Sequence, residues 1–153
     1  MDENINEKIE YDSYSPEDTF EIAKKLGESA SSGDVFCLIG DLGVGKTLFS
    51  QGFAKGLGVE EYVNSPTFTI VQEYYGTDER HLTLYHFDVY RIEDPEEMEE
   101  IGFTDMIYGD GVSLIEWADM ISDVLPDEYT RITIEKNLEK GFDYRKILVT
   151  KVS

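Results

Sequence analysis

The sequence predicts an α/β fold: a central, mixed, mostly parallel sheet flanked by helices, with antiparallel strands added to it. Three observations carry this. The short apolar run VFCLI (35–39) reads as a buried strand. It leads directly into GDLGVGKT (40–47), which fits the phosphate-cradling motif G-x-x-x-x-G-K-[ST], and a helical pattern follows. Further β-rich runs then alternate with helix-start signals. Strand, glycine-rich loop and helix in that order are the context of a P-loop NTPase. The 153 residues suffice for one domain with a hydrophobic core, so 1–153 is expected to be a single unit.

The elements follow in chain order. Ser15-Pro16-Glu17-Asp18 opens a helix, with serine as cap, proline at the first helical position and acids in the first turn. It is expected to run through Phe20, Ile22, Ala23 and Leu26 to Gly27. After the glycine-rich loop, a helix starts near Lys46. Its Phe49, Phe53 and Leu57 lie on one face, and Gly58 can end it. TFTIVQEYY (67–75) and LTLYHFDVY (82–90) alternate and are rich in β-formers. DPEEMEEIG (94–102) reads as a short helix capped by Asp94. VSLIEW (112–117) reads as another buried strand, and the stretch 131–152 as an antiparallel hairpin around a loop containing Gly141.

Composition restricts the function classes. No apolar run approaches the roughly 18 residues of a membrane span. The first residues, MDENINEKIE, are acidic and polar, unlike a secretory signal or a basic transit peptide. Cys37 is the only cysteine, which fits a reducing cytosol, and its apolar surroundings predict a buried thiol. A cytoplasmic protein without membrane contact is therefore expected. The net charge of −20, with only 13 scattered basic residues, disfavours direct nucleic-acid binding. An acidic surface serves solubility and can also steer a basic partner.

Gly40, Gly43 and Gly45 let the loop backbone aim its N–H groups at phosphate oxygens. Lys46 would reach the β- and γ-phosphates, and the Thr47 hydroxyl would ligate Mg²⁺. A second metal ligand is expected from a carboxylate ending a buried strand. Asp88, ending LYHFD, and Glu116, ending VSLIE, both qualify. One would hold the metal and the other would orient or deprotonate water; local pattern does not assign the two roles. Thr67, in SPTF, stands where a hydroxyl can sense the γ-phosphate. Trp117 is the single tryptophan and by pattern suits the core. His86 shares a strand face with Asp88 and, lacking metal-spaced partners, reads as structural. Arg91 is a phosphate or partner contact or an exposed ion pair. No N-K-x-D guanine motif is present, so ATP is the expected nucleotide. Four arginines and no evident lid insertion make a small-molecule kinase the second reading.

GDLGVGKT, NSPTFTIVQEY, YHFDVYR and LIEW, in this order and spacing, closely resemble the TsaE (YjeE) family over residues of about 15 to 150. These are small ATPases needed to form N6-threonylcarbamoyladenosine at position 37 of tRNA. The resemblance implies that Asp41, Leu42, Gly43, Val44, Gly45, Lys46 and Thr47 bind the ATP phosphates and that Leu48 continues that wall. It implies Thr47 and Glu116 as Mg²⁺ ligands, Asp88 as the catalytic or water-positioning acid, and Thr67 as the switch-like threonine. It places Trp117 beside the nucleotide and the stretch 15–19 near the adenine. The implied partner is the TsaD–TsaB heterodimer, in which TsaD carries the transferase site, with tRNA reached only through that complex. ATP binding and hydrolysis would support repeated turnover of the complex; the non-enzyme alternative is a nucleotide-dependent regulatory adaptor whose hydrolysis is incidental. Gln51 and Ala118 depart from many members, which carry a basic residue and a proline there.

Overall fold

The computed structural model describes residues 5–40, 43–64, 66 and 69–153. Among them seven strands form one sheet: β1 (Ile5–Ser13), β2 (Val35–Ile39), β3 (Val71–Tyr75), β4 (Thr83–Asp88), β5 (Val112–Glu116), β6 (Tyr129–Lys136) and β7 (Arg145–Val152). Their order is β1-β7-β6-β2-β5-β4-β3. The four central strands, β6, β2, β5 and β4, run parallel, while β1, β7 and β3 add antiparallel pairings at the two sides. This is the mixed P-loop NTPase sheet that the sequence predicts.

The two innermost strands, β2 and β5, are buried nearly along their whole length and mostly apolar because both faces are covered. Along β2, Phe36 and Leu38 enter one core cluster with Phe49, Phe53 and Leu57. Val35 and Cys37 enter the opposite cluster with Phe87, Phe103 and Ile115. The first cluster lies under α1 (Pro16–Ser29) and α2 (Lys46–Gly56). The second is covered by α3 (Glu97–Glu100), α4 (Phe103–Ile107) and the 3₁₀ segment Ala118–Val124.

Ser15 caps α1 as expected: its hydroxyl accepts from the Asp18 N–H at 3.1 Å, and Asp18 Oδ2 accepts from the Tyr14 N–H at 3.0 Å. The pair resembles a capping box, with the Asp18 carboxylate reaching the N–H of the residue before the cap instead of the cap's own. The helix runs past Gly27 because that glycine is used for packing. A Cβ there would sit 2.2 Å from the Phe53 carbonyl oxygen of α2, and one on Gly56 would sit 2.1 Å from the Lys24 carbonyl oxygen. The two helices therefore cross backbone to backbone. Arg80 fastens the C-terminal ends of both: its guanidinium donates to the carbonyls of Gly27, Glu28 and Ala30 on one side and of Gly56 on the other, and it pairs with Asp78 at 2.6 Å. These carbonyls are the ones a helix end leaves unpaired.

Four sequence expectations need correction. β1 was not expected; its side chains from Glu7 to Glu10 are exposed, so no apolar alternation marks it, and backbone pairing with β7 holds it. β3 begins at Val71, since 69–70 form a bend; 67–68 lie outside the described residues. The expected helix 94–102 shrinks to α3, with Asp94 Oδ1 accepting from the Glu96 N–H in a turn before the helix. α4 was not expected either. Its five residues are too few to display a helical period.

Candidate active site

The parallel register places the site. Leu38 of β2 pairs with Glu116 of β5, and Asp88 of β4 pairs with the same Glu116. Both acids end their strands, at the carboxyl edge from which the glycine-rich loop departs toward α2. In open parallel sheets this edge is where ligands bind. Gly43, Gly45, Lys46, Thr47, Leu48, Gln51, Asp88, Glu116 and Trp117 line one cleft there, of about 620 Å³. The structure thus brings together eight of the sequence-predicted site residues of the loop, strand ends and tryptophan, all those just named except Gln51, with Val44 buried behind them. Asp41, Leu42 and Thr67 lie outside the described residues.

The loop backbone has the conformation that only glycine adopts without strain: φ is +76° at Gly43 and +110° at Gly45. A Cβ at either position would meet no atom within 4 Å and would project into open space. Arg145, on β7, supports the loop from behind, its Nε donating to the Val44 carbonyl at 2.8 Å. No local pattern marks Arg145 for this role, because the contact spans 101 residues and depends on the strand order.

Lys46 is almost fully buried. Its Nζ donates to the Gly40 carbonyl at 2.5 Å and sits 3.4 Å from the centroid of the Trp117 ring. The ring face thus solvates an ammonium within reach of the cleft. Trp117 is half-buried, packs against Tyr90 with ring centroids 4.7 Å apart and planes tilted by 46°, and wedges between the second, lower core cluster and the cleft. It adopts φ +62°, a left-handed backbone that is uncommon for a non-glycine residue. Local strain of this kind is concentrated at functional sites. The tryptophan is therefore a cleft residue that also touches the core, more than the core-filling residue its pattern suggests.

Asp88 is partly buried, and its carboxyl is pushed above the usual aspartate range, first by burial and then by the like charge of Glu116. The Tyr90 N–H, donating to Oδ1 at 3.1 Å, opposes the shift, as do His86 and Lys46. Glu116 is 2% exposed. Its Oε2 accepts from His86 Nε2 at 2.6 Å, with the Ser50 hydroxyl at 3.4 Å. Gln51 lines the cleft and donates to the Val63 carbonyl at 3.0 Å, tying α2 to the connection before β3. Arg91 is exposed and does not line the cleft. The stretch 16–21 borders a separate depression that shares only Leu48 with the cleft.

The donor set suits a magnesium–triphosphate pair. Mg²⁺ takes hard oxygen ligands, commonly one or two protein oxygens with phosphates and waters completing the shell. Thr47 and Glu116 supply such oxygens. Among the described residues no group of three His, Cys, Asp or Glu side chains forms a metal cage. Lys46 and the first turn of α2 supply the complement to phosphate charge.

Comparison with known proteins agrees with this geometry. The family model for "Threonylcarbamoyl adenosine biosynthesis protein TsaE" matches residues 13–147. The tRNA threonylcarbamoyladenosine biosynthesis protein TsaE of Bacillus subtilis is 46% identical over 145 residues, covering 95% of this chain and 87% of that protein. The protein of the same name from Treponema pallidum is 43% identical over 118 residues, covering 77% and 84%. The crystal structure of Bacillus subtilis YdiB superposes with a TM-score of 0.77 at 39% identity, covering 98% of this chain and 88% of YdiB. A match that spans the glycine-rich loop, both strand-end acids and nearly the whole sheet establishes that the chain belongs to the TsaE family.

Proposed function

We propose that this chain is the ATP-binding and ATP-hydrolysing subunit of the machinery that forms N6-threonylcarbamoyladenosine at position 37 of tRNA, acting with the TsaD–TsaB heterodimer to sustain its turnover. The observation that carries the reading is the meeting of Lys46 and Thr47 with Asp88, Glu116 and Trp117 around one cleft at the carboxyl edge of the sheet. Membership of the TsaE family supports the biological process.

The residues divide the work as follows. The loop from Asp41 to Thr47 cradles the phosphates, Leu48 extends that wall, and Lys46 leaves the Gly40 carbonyl to reach the β- and γ-phosphates. Thr47 and Glu116 would hold Mg²⁺, which when bound neutralises charge on the β- and γ-oxygens. Asp88 orients the attacking water, and its raised pKa suits it to accept a proton. Thr67 senses the γ-phosphate. Trp117, packed on Tyr90, walls the cleft and keeps water from its inner end. With few cations of its own around the γ-phosphate, the chain hydrolyses ATP weakly until a partner completes the site.

The test is ATP turnover by the purified chain with and without TsaD–TsaB of the same organism. The reading predicts association in the presence of nucleotide and faster turnover in the complex. Phosphoryl transfer to a nucleoside or sugar would favour a kinase. Sustained multi-turnover modification with Asp88→Ala, able to bind but not hydrolyse, would favour an adaptor.

A further inference from the structure

The imidazole of His86 is completely buried on β4, two residue pairs behind the two strand-end acids and on the same face as Asp88. Burying a polar ring costs free energy that an apolar side chain of similar size would not. One polar contact is recorded to offset it. His86 Nε2 lies 2.6 Å from Glu116 Oε2, with the two side chains 0% and 3% exposed. Nδ1, the other ring nitrogen, is buried without a hydrogen-bond partner. The second contact to Oε2 is weaker. The Ser50 hydroxyl stands 3.4 Å away and has a shorter acceptor in the Lys46 carbonyl, at 2.9 Å. The hydroxyl proton therefore goes to the helix backbone, and of these two contacts the one from the ring is the shorter and stronger. Phe87 and Tyr85, its neighbours in sequence, point to the opposite face by strand alternation, so no adjacent side chain can replace it.

We propose that His86 is a positioning residue: its Nε2–H fixes the Glu116 carboxylate in the orientation that receives Mg²⁺. The inference rests on the assignment of Glu116 as a metal ligand. A glutamate has three side-chain torsions, and an unrestrained carboxylate would sample orientations that turn it from the cleft. A short bond from a buried, rigid ring on the neighbouring strand removes that freedom before the metal arrives. Partners of metal-binding carboxylates have this effect generally, and their loss commonly costs about 10–100-fold in metal affinity.

The test compares His86→Phe, which keeps a ring but has no donor, with His86→Gln, whose amide nitrogen can replace Nε2. Binding of a fluorescent, non-hydrolysable ATP analogue is titrated with Mg²⁺ and repeated in EDTA, with Glu116→Gln as reference. His86→Phe should weaken the apparent Mg²⁺ affinity by about 10–100-fold and leave the metal-free nucleotide affinity nearly unchanged. His86→Gln should recover most of the loss. Wild-type Mg²⁺ affinity in His86→Phe, or no recovery in a folded His86→Gln, overturns the proposal. An unaffected Glu116→Gln would show instead that the metal assignment itself fails, and the proposal with it. A measurement on the unsubstituted protein guards against misfolding of the variants. Long-range ¹H–¹⁵N spectra of the imidazole should show a proton on Nε2, its resonance shifting on Mg²⁺–nucleotide addition. A bare Nε2, or a resonance indifferent to the metal, contradicts the assignment.

Discussion

Lys46 contacts a carbonyl and an aromatic face, and in the proposed role it gives these up in part to reach phosphate. Trp117 is the single tryptophan, so its fluorescence should report that movement directly. Adding ATP should change the emission, and Lys46→Ala should weaken nucleotide affinity by about 10–100-fold, the worth of a charge-assisted contact. Unchanged affinity in a fluorescence titration would contradict the loop assignment. Asp88 offers a second residue-scale test. Its carboxyl should titrate above the ordinary aspartate value in ¹³C spectra of the nucleotide-free protein, and Glu116→Gln should lower the midpoint by removing a like charge. Much of this site was legible in the sequence. The motif carries Lys46 and Thr47, and each acid follows an apolar run that had to be a buried strand. Which acid serves the metal was not legible from pattern. The contacts of His86 and Arg145 were not legible either, because both arise from cross-strand register and sheet order.

At the scale of elements, the phosphate loop depends on where α2 sits, and α2 sits against α1 through glycine. Gly56→Ala puts a methyl group 2.1 Å from the Lys24 carbonyl oxygen, a clash of backbone that no rotamer relieves. Overpacking of this kind costs about 1–3 kcal/mol. The melting temperature should fall by about 2–4 °C for each kcal/mol lost. Thermal unfolding followed by circular dichroism tests this; an unchanged or raised midpoint would show that the helices can separate without cost. The helices and central strands were legible because each combines a period with a start or stop signal, such as the Ser15–Asp18 cap. β1 was not, since an edge strand with solvated side chains is specified by its partner, β7. The short α3 and α4 were blurred for a related reason: their positions come from packing Met98 and Phe103 onto the lower core.

On the scale of the whole molecule, Cys37 reports the integrity of the sheet. Burial raises its thiol to about 12, with Arg131 offsetting a little of the shift. The folded thiol therefore stays protonated where the unfolded one, near 9.0, ionises. Below pH 9 this group adds nothing to the pH dependence of stability; between 9 and 12 the unfolded state loses the proton first, so stability falls as pH rises. Denaturant unfolding should show a shallower alkaline loss for Cys37→Ala than for the unsubstituted protein, and maleimide at neutral pH should label Cys37 only through unfolding. The same sheet sets two acids and the phosphate loop side by side on a strongly acidic molecule that supplies few cations to the γ-phosphate. The proposed partner dependence rests on that charge balance. The most direct measurement is the steady-state rate of ATP hydrolysis by the chain alone and after addition of TsaD–TsaB. The account predicts slow hydrolysis alone, acceleration by the heterodimer, and loss of both rates in Lys46→Ala. Equal rates with and without the heterodimer, or no association under nucleotide, would contradict it.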